Sequence, residues 1–145
     1  MGAIEFASRV QRHKRHALEQ MLFFNGCQDR VARDIVDVID KYGPPEIFDD
    51  GEGLRVRVAS LPEVQCLFAI EHVSQRPIGI AVYMRADLEH VTVLHLGVAE
   101  DYCAGGPNES MNLPLRLVRE VRRTSRRIKG VRRLEVAYCT QRARA

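Results

Sequence analysis

The stretch Val91–Tyr138, VTVLHLGVAEDYCAGGPNESMNLPLRLVREVRRTSRRIKGVRRLEVAY, decides how this chain folds. An apolar run, Val91–Val98, leads into a glycine-containing segment, then an arginine-rich amphipathic run, then a short apolar run at Leu134–Tyr138. That order reads as strand, loop, helix, strand. In the helical run Leu117, Val121, Thr124 and Ile128 recur at i, i+4, i+7 and i+11, supported by Val118. Arg116, Arg119, Arg123 and Arg126 face away from them. Pro114 suits a first helical position and Gly130 a stop, so the spacing predicts a helix over Pro114–Gly130. Two strands joined by a helix usually lie parallel, with a right-handed crossover. The loop then stands at the carboxyl end of the first strand and the amino end of the helix. Unpaired N–H groups and the positive end of the helix dipole meet there and favour an anion such as a phosphate.

Upstream of this unit the pattern changes period. Leu54–Ala59 alternates Leu54, Val56 and Val58 with Arg55 and Arg57, as a half-buried strand does. Val64–Val73 and Ile78–Met84 are apolar runs joined by the turn Ser74-Gln75-Arg76-Pro77, and Arg85–His90 turns into Val91–Val98. Connections this short predict an antiparallel meander that ends in the one parallel crossover. Before it, Val10, Ala17, Leu18, Met21 and Leu22 mark a helix near Glu5–Phe24, ended by Asn25-Gly26. Val31, Ile35, Val38 and Ile39 mark a second helix from about Asp29 to Tyr42, stopped by Gly43-Pro44-Pro45. Asp49-Asp50-Gly51-Glu52-Gly53 reads as a turn, and its acids do not have the spacing of a calcium loop. No metal site is expected. The predicted class is α/β in the α+β sense. It is a mostly antiparallel twisted sheet with one parallel crossover, preceded by two helices. Residues 1–145 form one expected domain, with 1–45 helical and 54–139 holding the sheet and crossover helix.

Composition narrows the function classes. The chain is 46% hydrophobic and 28% charged, ordinary for a globular protein, and lacks Trp, so its core must be mostly aliphatic. No apolar window approaches the ~20 residues of a membrane helix. The charged start MGAIEFASRVQRHKRH is unlike a signal peptide, and Phe6 breaks the myristoylation pattern after Gly2. A cytoplasmic protein is therefore expected. Cys27, Cys66, Cys103 and Cys139 are far apart with no zinc spacing, so neither disulfides nor a structural zinc are expected. Through Ser110 there are 11 basic against 17 acidic residues, net −6; from Met111 onward, 11 against 2, net +9. The basic run Arg122–Arg133 fits coenzyme phosphates, a nucleic-acid backbone, or a solvated outer face.

The order helix, helix, three antiparallel strands, glycine loop, helix, strand resembles the GCN5-related N-acetyltransferase (GNAT) superfamily over about Leu54–Tyr138. Val98, Tyr102 and Gly106 fall on its strand-end Val, its aromatic and its first loop glycine, while Cys103 and Asn108 depart from the pattern and Pro107 removes an N–H donor. The family also continues with a helix and two strands beyond its fifth strand, so the resemblance is to a degenerate, C-terminally shortened form. It implies a small N-acetyltransferase-like protein binding acetyl-coenzyme A through Leu96, Gly97, Val98, Gly105, Gly106, Asn108 and Ser110. For a general base the candidates on the central strands are Glu71, His72 and His95, with Glu71 and His95 kept as the catalytic pair; His95 is expected on the face opposite Leu94 and Leu96. Cys103 beside a helix start is a candidate nucleophile with His90 or His95. Missing final strands would leave a sheet edge after Leu134–Tyr138, covered by a homodimer. Other readings are a catalytically inactive binding module, and a nucleic-acid-binding protein using helix 114–129.

Overall fold

The computed structural model describes residues 3–23, 32–58, 60–61, 63–128 and 130–136. Five strands make the main sheet: β1 (Ile4–Ala7), β4 (Gln65–Glu71), β5 (Pro77–Arg85), β6 (His90–Val98) and β7 (Arg133–Val136), in that spatial order. Neighbours are antiparallel except β6 and β7, which run parallel with His90 opposite Arg133 and Val93 opposite Val136. The expected class, a mainly antiparallel sheet with one crossover, is the observed one.

Both faces of the sheet are covered, which is why β5 and β6 read as continuous apolar runs rather than alternating ones. On one face α1 (Arg15–Phe23) sets Leu18, Met21 and Leu22 against Phe68, Ile80 and Val82. Val38 of α2 (Ala32–Tyr42) and the hairpin of β2 (Pro45–Asp49) and β3 (Leu54–Val58) complete that cluster. On the other face α3 (Leu113–Ser125) buries Leu113, Leu117 and Val121 against Ala69, Ala81, Leu96 and Val98. Each such Leu or Val, fully out of water, stabilises the fold by about 1.5–3 kcal/mol.

Several expectations are corrected. Residues 4–7 are a strand, not the start of a helix: Ile4 and Phe6 alternate with Glu5, and the run pairs with Phe68–Glu71. Val10 is no helix residue either; it bridges to Leu54 and is buried. The first helix then shrinks to Arg15–Phe23. Leu54–Val58 leaves the meander and pairs with Pro45–Asp49, a strand hidden by the helix-breaking signal of Gly43-Pro44-Pro45. A tight turn, Leu61 N to Val58 O, diverts the chain after β3, and β1 fills the place beside β4. The third helix ends at Ser125, five residues before Gly130, and its buried stripe runs Leu113, Leu117, Val121, Ser125, leaving Thr124 and Ile128 outside. The expected starts and stops at Asp29–Val31, Asn25-Gly26 and Ala137–Tyr138 lie outside the described residues.

Candidate functional site

The segment from Ala99 to Asn112 joins the carboxyl end of β6 to the start of α3, where the strand order requires a connection over the sheet. Two short 3-10 turns, Glu100–Tyr102 and Glu109–Met111, fold it on itself. Asn108 N donates to Asp101 O (2.8 Å) and Gly106 N to Cys103 O (2.9 Å). Gly106 admits no side chain, because a Cβ there would stand 2.7 and 2.8 Å from the carbonyl oxygens of Glu100 and Asp101. Gly105 takes a φ of +85°, and its N–H donates to Glu109 Oε2 at 3.2 Å. An amide of the β6–α3 loop thus already faces a carboxylate oxygen.

A polar cluster ties this loop to the β4–β5 turn. Glu71, at the end of β4, accepts from Tyr102 Oη (2.9 Å), Arg76 Nε (2.9 Å) and Ser74 Oγ (3.0 Å). Arg76 Nη2 also donates to Asp101 Oδ2 (2.7 Å), which Asn108 Nδ2 reaches at 3.3 Å. Burial pushes the Glu71 carboxyl up, but the bonds from Tyr102, Arg76 and Ser74 outweigh it and leave the pKa below the ordinary value. Burial, and the hydrogen bond given to Glu71, push the Tyr102 phenol up to about 12. Sequence reasoning had Glu71 and Tyr102 but read Arg76 only as a turn residue and gave Asp101 no role. A lone arginine in a short hairpin turn was the available signal.

The remaining candidates divide by face. A bulge lets Val82 pair with His95 and Tyr83 with Val93, so Leu94 is the extra residue on β6. The extra residue puts His95 on the same side as Leu94 and Val82, toward α1, rather than opposite Leu94 as expected. Glu71 interacts with Tyr102, which packs under α3, so the two proposed catalytic residues are not brought together. Burial holds the His95 imidazole down at about 4, hence neutral at pH 7. The side chains of Leu96 and Val98 are core, so only their backbone is available to a ligand, while Ser110 is exposed and Asn108 half-buried in the loop. His72 lies in the turn beside Glu5, its Nδ1 3.1 Å from Oε2. Cys103 is buried and disulfide-bonded. That corrects two expectations at once: a disulfide exists, and a cystine sulfur is no thiolate nucleophile.

Fold and loop define an α+β domain with a strand–loop–helix–strand crossover. Among the described residues no group of His, Cys, Asp or Glu is placed to hold a metal, and no helix is long and apolar enough to cross a membrane. No protein-family model matches the sequence, and no curated protein matches it. Among solved structures the chain is similar to nourseothricin acetyltransferase, at 18% identity and a TM-score of 0.26, over 52% of this chain and 52% of that one. The match therefore spans about half of that enzyme, and at that TM-score it carries no argument about activity.

Proposed function

We propose that this chain is a small N-acetyltransferase-like protein that binds a coenzyme A thioester at the loop between β6 and α3. The observation that carries the reading is the Gly105 amide aimed at Glu109 Oε2, within the loop that leads from the carboxyl end of β6 to α3. The carboxylate oxygen stands where a pyrophosphate oxygen would be received, as a charged acceptor for a backbone N–H. Gly106 keeps the loop close enough to its own backbone for this path, and Asn108 and Ser110 supply polar side chains at its rim. The backbone of Leu96, Gly97 and Val98 would meet the thioester arm. Glu71 acts as a positioning residue through Tyr102 and Arg76, and a neutral, buried His95 is a core residue in this scheme. The reading is of coenzyme binding first; transfer to an amine acceptor is the further step. We also propose that two copies pair along the outer edge of β7.

Calorimetry with coenzyme A tests this. Wild type is expected to bind at one site, and Glu109→Gln to bind about three- to tenfold more tightly, because a competing anion is removed from the Gly105 amide. Gly106→Ala is expected to weaken binding. No binding heat from wild type and from Glu109→Gln, both folded by circular dichroism, would overturn the proposal. Release of free thiol from acetyl-coenzyme A with an amine present then separates an enzyme from an inactive binder.

A further inference from the structure

The opposite end of α3 carries a feature that the coenzyme reading does not use. Between its last turn and β7 lies a cleft of about 330 Å³, lined by Arg122, Ser125, Arg126, Arg132, Arg133 and Glu135 among others. Four arginines against one glutamate leave a strong positive excess. Several arginines elsewhere are paired: Arg9 with Asp50, Arg12 with Asp49, Arg57 with Glu46, Arg76 with Glu71 and Asp101. Among the described residues none of the four cleft arginines has such a partner, and like charges held together repel. The walls are fixed. Arg132 N and Arg133 N both donate to Glu89 O (2.7 and 3.0 Å), and Gly130 takes the positive φ of the tight turn before them.

Ser125 is the second observation. It lies on the buried stripe of α3, where the spacing calls for an apolar side chain, and is only 2% exposed. Its hydroxyl has no hydrogen-bond partner among the described residues. A buried donor without a partner destabilises a fold, so its place at the floor of an arginine-lined cleft calls for an acceptor there. The guanidinium fork matches the oxygens of a phosphate two at a time. The negative end of the helix dipole opposes an anion here, but that effect is weaker than one guanidinium contact.

We propose that this cleft is an oxyanion site that takes a phosphate group, with Arg122, Arg126 and Arg132 as the charged donors and Ser125 as the neutral one. The 13 residues of α3, roughly 20 Å of helix, lie between it and the β6–α3 loop, so the site stands or falls independently of coenzyme binding. The phosphate belongs either to a small phosphorylated molecule or to a polynucleotide backbone.

The test is calorimetry at low ionic strength with inorganic phosphate, then with a nucleoside monophosphate and a single-stranded oligonucleotide of about a dozen residues. Arg126→Gln with Arg132→Gln is expected to weaken phosphate binding about tenfold or more. Arg119→Gln with Arg123→Gln, which removes the same amount of charge from α3 outside the cleft, should leave it within about twofold. Ser125→Ala should weaken phosphate binding while leaving thermal stability equal or higher, which separates a ligand donor from a structural hydroxyl. Cleft-dependent binding of the oligonucleotide identifies a polymer as the source, and binding of the monophosphate alone identifies a small molecule; either supports the site. No binding by folded wild type, or equal loss in both arginine pairs, overturns it.

Discussion

Replacing Tyr102 by Phe removes one oxygen and the direct link between the loop and the β4 strand end. Hydrogen bonds to a charged acceptor contribute about 1.5–3 kcal/mol, but the Glu71 side chain is 29% exposed and keeps Arg76 and Ser74. A loss of about 1 kcal/mol in urea unfolding is expected, with coenzyme binding weakened more than stability if the loop is the site. His95 makes a prediction of a different kind. Its folded pKa of about 4 lies below the unfolded value of 6.5, so the unfolded chain binds the extra proton between the two. Stability should therefore be constant above pH 6.5 and fall as the pH drops toward 4, by up to ~1.4 kcal/mol per unit. Measured between pH 6.5 and 5, above the carboxylate range, this slope should be absent in His95→Leu; a slope unchanged in that variant would refute the assignment. Glu71 was legible as a polar residue ending an apolar run. Its link through Arg76 to Asp101 was not, because Asp101 stands 25 residues beyond Arg76 and only the sheet brings the two together.

At the scale of elements, the seat of α3 on the sheet depends on Gly79. A Cβ there would stand 2.8 Å from Leu117 Cδ1, so helix and strand approach more closely than any side chain allows. Gly79→Ala should cost about 1–3 kcal/mol as overpacking, and Leu117→Val about 1 kcal/mol as a lost methylene. The obstructing atom is the end of a flexible side chain, so the double variant should be less damaged than the two costs added. A coupling of at least ~0.5 kcal/mol in denaturation is expected, and strict additivity would show that the two groups do not compete for one space. The crossover itself was readable because a 3.6-residue period between two apolar runs has few other solutions. The strand Ile4–Ala7 was not, because four residues ahead of a basic stretch fit the start of a helix equally well. Only the hydrogen bonds offered by β4 select the extended form.

For the whole molecule, the five-stranded sheet has two outer strands, β1 and β7, and β7 is mostly exposed. An edge of this kind recruits a partner. Light scattering on gel filtration at micromolar concentration should give twice the chain mass of 16.5 kDa, and a clean monomer would sink the proposed pairing across β7. Charge also divides the molecule: the acidic excess before Ser110 and the basic excess after Met111 place the positive field on α3 and its continuation. By itself the sequence determined what depends on nearest neighbours: the class, the crossover, the turns at Asp49–Gly53 and Ser74–Pro77, and the polarity of α3. Periodicity and turn chemistry are local, and burial rewards them in any compact arrangement. Only the tertiary structure decided which strand stands beside β4, which face His95 occupies, which acids hold Arg76, and that a buried Ser125 lies under unpaired arginines. Each of these rests on groups far apart in the chain, where one inserted residue at Leu94 or one diverting turn after Val58 redirects everything that follows.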